Sequence, residues 1–174
     1  MTGEVLVLTG PPGAGKSTVA RLLADRFPLS VHLHTDDFYG YIRRGRVLPY
    51  LPGSRAQNET VMGVLAGAAF GYAAGGYFVA CDGIIGPWFV DAFTRHGTPF
   101  HYAILRPDER TVLERATGRG EGALTDPEPV RIMYGQFARP GAYDAHVVDS
   151  TDLDPQATAA LVLERLERGD LRIG

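Results

Sequence analysis

The chain has 174 residues, 45% of them hydrophobic and 21% charged, enough for one globular domain with a sizeable core. Its net charge of −3 offers no basic footprint for nucleic acid or an anionic membrane. The single cysteine, Cys81, excludes an internal disulfide or a cysteine-rich metal site and suits a reducing cytosol.

The N-terminus has no basic n-region and reaches an apolar run by residue 5, so no signal peptide is expected. The expected setting is cytoplasmic, as a monomer or a homodimer, with no nucleic-acid or membrane partner. Val5, Leu6, Val7 and Leu8 read as a strand buried on both faces. Gly10-Pro11-Pro12-Gly13-Ala14-Gly15-Lys16-Ser17 follows and fits G-x-x-x-x-G-K-[ST], the phosphate-binding loop. Val19, Leu22, Leu23 and Phe27 then share one face of a helix. In such a loop, glycines let backbone N–H groups wrap around phosphate oxygens, and the new helix aims its positive end at the same anion. Lys16 supplies a mobile cation for the outer phosphates, and the Ser17 hydroxyl can ligate magnesium. A chance match in a chain with 22 glycines is countered by Lys16 itself, the only lysine among 17 basic residues. A compact ammonium stands only where a phosphate loop requires one.

After a break at Pro28, residues 31–35 read as a second strand, followed by Asp36-Asp37-Phe38-Tyr39. Residues 40–54, with their glycines, prolines, aromatics and arginines, read as a loop. A helix is expected over Arg55–Ala74, with Val61, Val64, Leu65, Ala68 and Tyr72 inward. Its glycines at every fourth position, from Gly63 to Gly75, would let a neighbour approach closely. Residues 61–80 carry no charge, but Ala and Gly supply too little transfer energy for a membrane span, and Gly75-Gly76 would break it. A core strand over 77–81 ends at Asp82-Gly83. A short helix over 87–96, a strand over 100–106 and a helix opened by Pro107-Asp108-Glu109 come next. A polar gap over 118–125, a helix capped at Asp126-Pro127, a strand over 145–149 and a helix capped at Asp154-Pro155 complete the chain. Strands alternating with helices mean a parallel sheet with helices on both faces.

The loops at the carboxyl ends of such strands carry the chemistry. Asp36 and Asp37 can act as general base or orienting acceptor for a substrate hydroxyl, or can cap a short helix. Asp82 can hold magnesium through water, or form a strand-end turn. Arg115 and Arg119 can meet a nucleotide, or can be a helix end that favours cations. Tyr39, Arg43 and Asn58 border the same strand ends and are acceptor-site candidates. The five histidines show no metal-ligand spacing.

These residues make the chain resemble the P-loop small-molecule kinases, the group of adenylate, shikimate and gluconate kinases and chloramphenicol phosphotransferase. GPPGAGKST is similar to that group's nucleotide loop, Asp36 in TDDFY to its strand-two acid, and Asp82-Gly83 to the strand-three D-G of adenylate kinases. Arg115-Ala116-Thr117-Gly118-Arg119 resembles R-x-x-G-R at the lid, where the first arginine lies on adenine and the second contacts the transferred phosphate. The resemblance implies a three-layer α/β P-loop fold, a five-stranded parallel sheet of order 2-3-1-4-5, one domain over 1–174 and a lid over 118–126. It also implies ATP with Mg2+ as donor. Gly10, Gly13, Ala14, Gly15, Lys16, Ser17, Thr18, Arg115 and Arg119 would then bind nucleotide, and Ser17 and Asp82 magnesium. Asp36, Asp37, Tyr39, Arg43, Asn58 and Asp82 would line the acceptor site, with Asp36, Lys16 and Arg119 catalytic.

The lid is too short for a zinc-binding insert, and no arginine clamp for an acceptor monophosphate is present. The expected acceptor is therefore a small non-nucleotide alcohol: a sugar, metabolite or antibiotic. The alternative is an ATP-binding module of tunicamycin-resistance type that sequesters a ligand without transfer. A GTPase would need a second lysine for N-K-x-D, and a polynucleotide kinase a basic tract.

Overall fold

The computed structural model describes residues 3–118 and 127–174. In chain order its regular elements are β1 (Val5–Thr9), α1 (Lys16–Ala24), β2 (Ser30–His34), α2 (Thr35–Gly40), α3 (Arg55–Ala74), β3 (Phe78–Asp82), α4 (Asp91–Thr94) and β4 (Phe100–Leu105). Then follow α5 (Glu109–Thr117), α6 (Pro127–Gln136), β5 (Val147–Val148), α7 (Pro155–Glu167) and β6 (Arg172–Ile173). The five parallel strands lie in the order β2-β3-β1-β4-β5, as the resemblance implies.

The unbroken apolar run of β1 is buried from end to end because both of its faces are covered. Leu6 and Leu8 pack with Val19 and Leu23 of α1 and Val162 and Leu166 of α7. Val5 and Val7 face the other way, toward Met62 and Leu65 of α3, Phe93 of α4 and Tyr102 of β4. Each such side chain removed from water contributes roughly 1.5–3 kcal/mol, so the period-2 alternation of β1 sorts two helix layers onto opposite faces. The Asp154 carboxylate accepts from the Ala157 amide at the start of α7, and Asp108 caps α5 through Thr111, the helix starts their sequences announce.

Several expectations change. Helix α3 has the expected ends but is turned about its axis: Val61, Met62, Leu65, Ala66, Ala69 and Ala73 are buried, while Val64 and Tyr72 are 57% and 46% exposed. Gly63, Gly67 and Gly71 approach no neighbour either, since a Cβ on any of them would meet nothing within 4 Å. Ala and Gly dilute the apolar signal on every face of this helix, so bulk at Met62 and Leu65 decides which side meets the sheet. Among the described residues no helix is long and apolar enough to cross a membrane.

The short helix over 87–96 is a 3-10 turn, Pro87–Phe89, followed by the single turn of α4. The strand over 145–149 shrinks to two residues, because a 3-10 turn takes Gly141–His146. The unforeseen β6 pairs antiparallel with the amino half of β4, leaving only Ile104 and Leu105 for β5. Finally β3 runs one residue further than expected, so that Asp82 is itself in the sheet, opposite Leu8 and His34.

Candidate active site

At the carboxyl ends of β1, β2 and β3 stand the glycine loop, the start of α2 and Asp82, side by side. Gly13 has φ 84, and a Cβ there would lie 2.5 Å from the Val112 carbonyl and 3.2 Å from the Ala116 Cβ. Helix α5 therefore closes directly on the loop, and only glycine lets it. Gly15, at φ 87, caps α1 without a side chain, and a Cβ on it would meet nothing within 4 Å. The first-turn amides of α1 thus open on a backbone cradle, a shape and polarity that fit phosphate oxygens. The Lys16 ammonium bends over the loop and donates to the Pro11 carbonyl at 2.9 Å. Ala14 is buried beneath the loop, and Thr18 stands exposed in the first turn of α1.

Asp82 is the centre of a buried polar network. Its carboxylate accepts from the Ser17 hydroxyl at 2.6 Å, from His32 Nε2 at 2.6 Å and from His34 Nδ1 at 3.0 Å. Its backbone carbonyl accepts from the Thr35 hydroxyl at 2.7 Å, and a Cβ on Gly83 would strike that threonine. Burial opposes the charge on Asp82, but the hydrogen bonds from His32, His34 and Ser17 prevail and hold its carboxyl well below the usual range. Asp82 thus ends the strand from within the sheet, and its carboxylate is committed to Ser17 of the phosphate loop.

His34 reaches a second acid. Its Nε2 lies 3.4 Å from Asp36 Oδ2, so the imidazole spans two carboxylates. Asp36 first and Asp82 second push the ring up to about 10, against the pull of burial. Asp36 is in turn held below its usual range, by His34 first, with help from the charge of Lys16 and against burial. Neither Asp36 nor Asp37 caps α2; the capping position is His34, which makes no side-chain cap. Both acids lie in the first turn, exposed, where the helix dipole favours them.

The acceptor-side candidates divide. Tyr39 is buried and donates to Asn58 Oδ1 at 3.0 Å, while the Asn58 amide donates to the Pro49 carbonyl and to Ser54 Oγ. Burial, with the charge of Asp36, pushes the Tyr39 phenol up to about 12. The Gln57 amide meanwhile accepts from the Val47 N–H and donates to the Val47 carbonyl. These side chains clamp the loop over 41–54 to α3. Arg43 sits exposed on that loop. Arg115 is exposed in the last turn of α5, one residue before the Ala116 that abuts the glycine loop. Arg119 and the expected lid over 118–126 lie outside the described residues, apart from Gly118.

Sequence reading missed His32 and His34. The usable signal was His-Leu-His directly before the acidic pair: alternate residues of a strand share a face, here the face of Ala80 and Asp82. Among the described residues no group of three or more His, Cys, Asp or Glu side chains forms a metal cage. A magnesium ion carried on nucleotide phosphates needs no such cage, only a hydroxyl and a carboxylate acting through water, and Ser17 and Asp82 stand 2.6 Å apart.

The network sets an expected pH dependence. The folded value of His34 is raised from 6.5 to about 10, so its contribution to stability is complete below about pH 6.5 and is lost as pH rises toward 10. Asp36 and Asp82 are lowered from 3.8, so theirs is present above that value and lost as pH falls below it. Melting temperatures of the parent and of His34→Asn should differ most near pH 6 and converge toward pH 10. A gap that stays constant across that window would refute the charged bridge.

A family model described as AAA domain matches residues 6–130. No curated protein matches the chain. Among solved structures, the tunicamycin resistance protein of Deinococcus radiodurans is 19% identical with TM-score 0.70, over 94% of this chain and 95% of that one. An unliganded sugar kinase from Janibacter sp. HTCC2649 is 18% identical with TM-score 0.70, over 95% of each. A shikimate kinase from Acinetobacter baumannii, solved with shikimate, is 19% identical with TM-score 0.67, over 98% and 96%. At these identities the likeness is one of fold.

Proposed function

The chain belongs to the AAA domain family of P-loop folds, and from that premise we propose that it is an ATP-dependent phosphotransferase. The acceptor is the hydroxyl of a small non-nucleotide molecule, and the chain acts as one domain. The observation that carries the proposal is Asp36. An exposed, ionised carboxylate stands at the end of β2, close enough to feel the charge of Lys16, and reaches Asp82 through one imidazole. A module that only sequesters a ligand has no use for a carboxylate in that place.

In this reading the amides of the loop, from Gly10 through Gly13, Ala14 and Gly15 to Thr18, hold the phosphates, and Lys16 moves from Pro11 onto the outer ones. Ser17, with Asp82 acting through water, would hold a magnesium ion, which would supply charge neutralisation on those oxygens. Arg115 is assigned to the adenine, and Arg119, outside the described residues, to the charge on the moving phosphoryl group. Asp36 accepts the hydrogen bond of the acceptor hydroxyl. A carboxylate held below its usual range is a weak base, but a loose phosphoryl transition state asks mainly for aim, and the hydroxyl proton passes to Asp36 late. Asp37 assists from the next position of the same turn, Arg43 meets the acceptor from the loop, and Tyr39 and Asn58 hold that loop in shape.

The test is a panel of glucose, gluconate, shikimate, chloramphenicol and tunicamycin with MgATP, following both ATP consumption and phosphorylated product. Product from any member with stoichiometric ADP supports transfer. Tight MgATP binding with no product from any of them favours the sequestration module, the reading for which the fold shared with a tunicamycin resistance protein speaks.

A further inference from the structure

We propose that His34 is a positioning residue: it bridges the buried Asp82 and the exposed Asp36 and so sets the aim of the acceptor carboxylate toward the phosphate loop. The transfer part of this proposal rests on the phosphotransferase reading; the bridge itself does not.

The two acids differ in how they are held. Asp82 is fixed without His34: Ser17 and His32 each approach its carboxylate at 2.6 Å, and Thr35 holds its backbone carbonyl. Asp36 projects from a six-residue helix with its side chain 79% exposed. An exposed carboxylate in a first helical turn has several rotamers open to it. The His34 ring removes that freedom. Its position comes from the sheet, because His34 pairs in register with Asp82. Its Nδ1 lies 3.0 Å from Asp82 Oδ1 and its Nε2 3.4 Å from Asp36 Oδ2. A rigid five-membered ring thereby transmits the position of a buried acid to an exposed one. Ser17 follows Lys16 in the first turn of α1, so the same bridge ties Asp36 to the helix that opens the phosphate cradle. Misplacing a reacting group by about 1 Å can cost ~10²-fold in rate, which is the scale on which such a brace matters. A ring that merely filled space at the sheet edge would affect folding and leave the split between nucleotide binding and transfer untouched.

Two amide variants separate the halves of the bridge. Asn in place of His34 offers a donor near Nδ1, toward Asp82; Gln offers one near Nε2, toward Asp36. Both are expected to melt cooperatively and to keep the KM for MgATP within about threefold of the parent. Both should lower kcat by ~10- to 10²-fold on the panel alcohol that gives product. His34→Asn combined with Asp36→Asn should be no slower than Asp36→Asn alone, since a brace has no value once its carboxylate is gone. Transfer by His34→Asn at the parent rate, or full additivity in the double variant, overturns the proposal. A second readout needs no acceptor. In nucleotide-free protein labelled with 15N at histidine, Asp36→Asn should move the His34 ring resonances, and more than those of His32, which shares only Asp82 with it. Unmoved His34 resonances overturn the bridge even if every alcohol of the panel fails, and that failure would by itself count only against the phosphotransferase reading.

Discussion

Lys16→Ala is expected to abolish phosphoryl transfer, with a loss of ~10³-fold or more in kcat and weaker MgATP binding. Lys16 is the only lysine of the chain, and its ammonium already bends over the glycine loop to the Pro11 carbonyl. In the proposed mechanism it leaves Pro11 for the outer phosphates, where charge accumulates as the phosphoryl group leaves. Removing one such preorganised donor from a low-dielectric site costs ~10²- to 10³-fold in well-studied enzymes, and a full positive charge is worth more than a neutral donor. Lys16→Arg should fail as well. A planar guanidinium fork cannot fold back over a loop that a compact ammonium crosses. The measurement is calorimetry with MgATP beside the product assay, with a melting curve to confirm folding. Because α1 and the loop are held by Val19, Ala20 and Leu23 in the core, both variants should remain folded. Unchanged turnover in either one would remove the P-loop from the mechanism.

Asp36→Asn carries the second largest expected effect. The substitution preserves size and one acceptor oxygen but removes the negative charge that His34 and Lys16 attend. Folding and MgATP binding should stay near the parent values, and transfer should fall by ~10²- to 10⁴-fold, the usual worth of a general base or aligned acceptor. Asp37→Asn should be milder, since Asp37 sits one position further along the same exposed turn. If Asp36→Asn transfers at the parent rate, Asp37 becomes the candidate. Asp82 is a poor substitute, because its carboxylate is committed to Ser17, His32 and His34 in the interior. The experiment is an ATP titration of each variant beside the product assay with the alcohol found in the panel.

The site was legible where chemistry is contiguous in the chain. Eight consecutive residues, Gly10 to Ser17, specify a phosphate cradle because one turn of backbone makes it: glycine at the left-handed positions, then a helix start. The alternation of apolar runs was legible for the same reason, since a strand buried on both faces and a helix with one apolar stripe are local patterns. Asp82 was legible as a strand-end acid, though its company was not. Tyr39 and Asn58 illustrate the limit of reading by neighbourhood: they spend their polar atoms on each other and on the loop over 41–54.

What the sequence by itself determined is therefore the phosphate loop, the alternation of the five parallel strands with the longer helices, and the capped starts of α5 and α7. All of these depend on residues within a few positions of one another. The tertiary structure alone decided the rotation of α3, the division of the outer edge of β4 between β5 and β6, and the four-residue chain from Ser17 through Asp82 and His34 to Asp36. In α3, Ala and Gly make the faces nearly equivalent, so only packing against the sheet chooses among them. At β4, two short segments share one edge, β6 on its amino half and β5 at its carboxyl end. In the polar chain, the partners of Asp82 come from α1 and β2, the histidines 50 and 48 residues away. They meet because β2 pairs with β3 in the register that sets His34 opposite Asp82, and a slip of one residue would turn both histidines to the other face of the sheet.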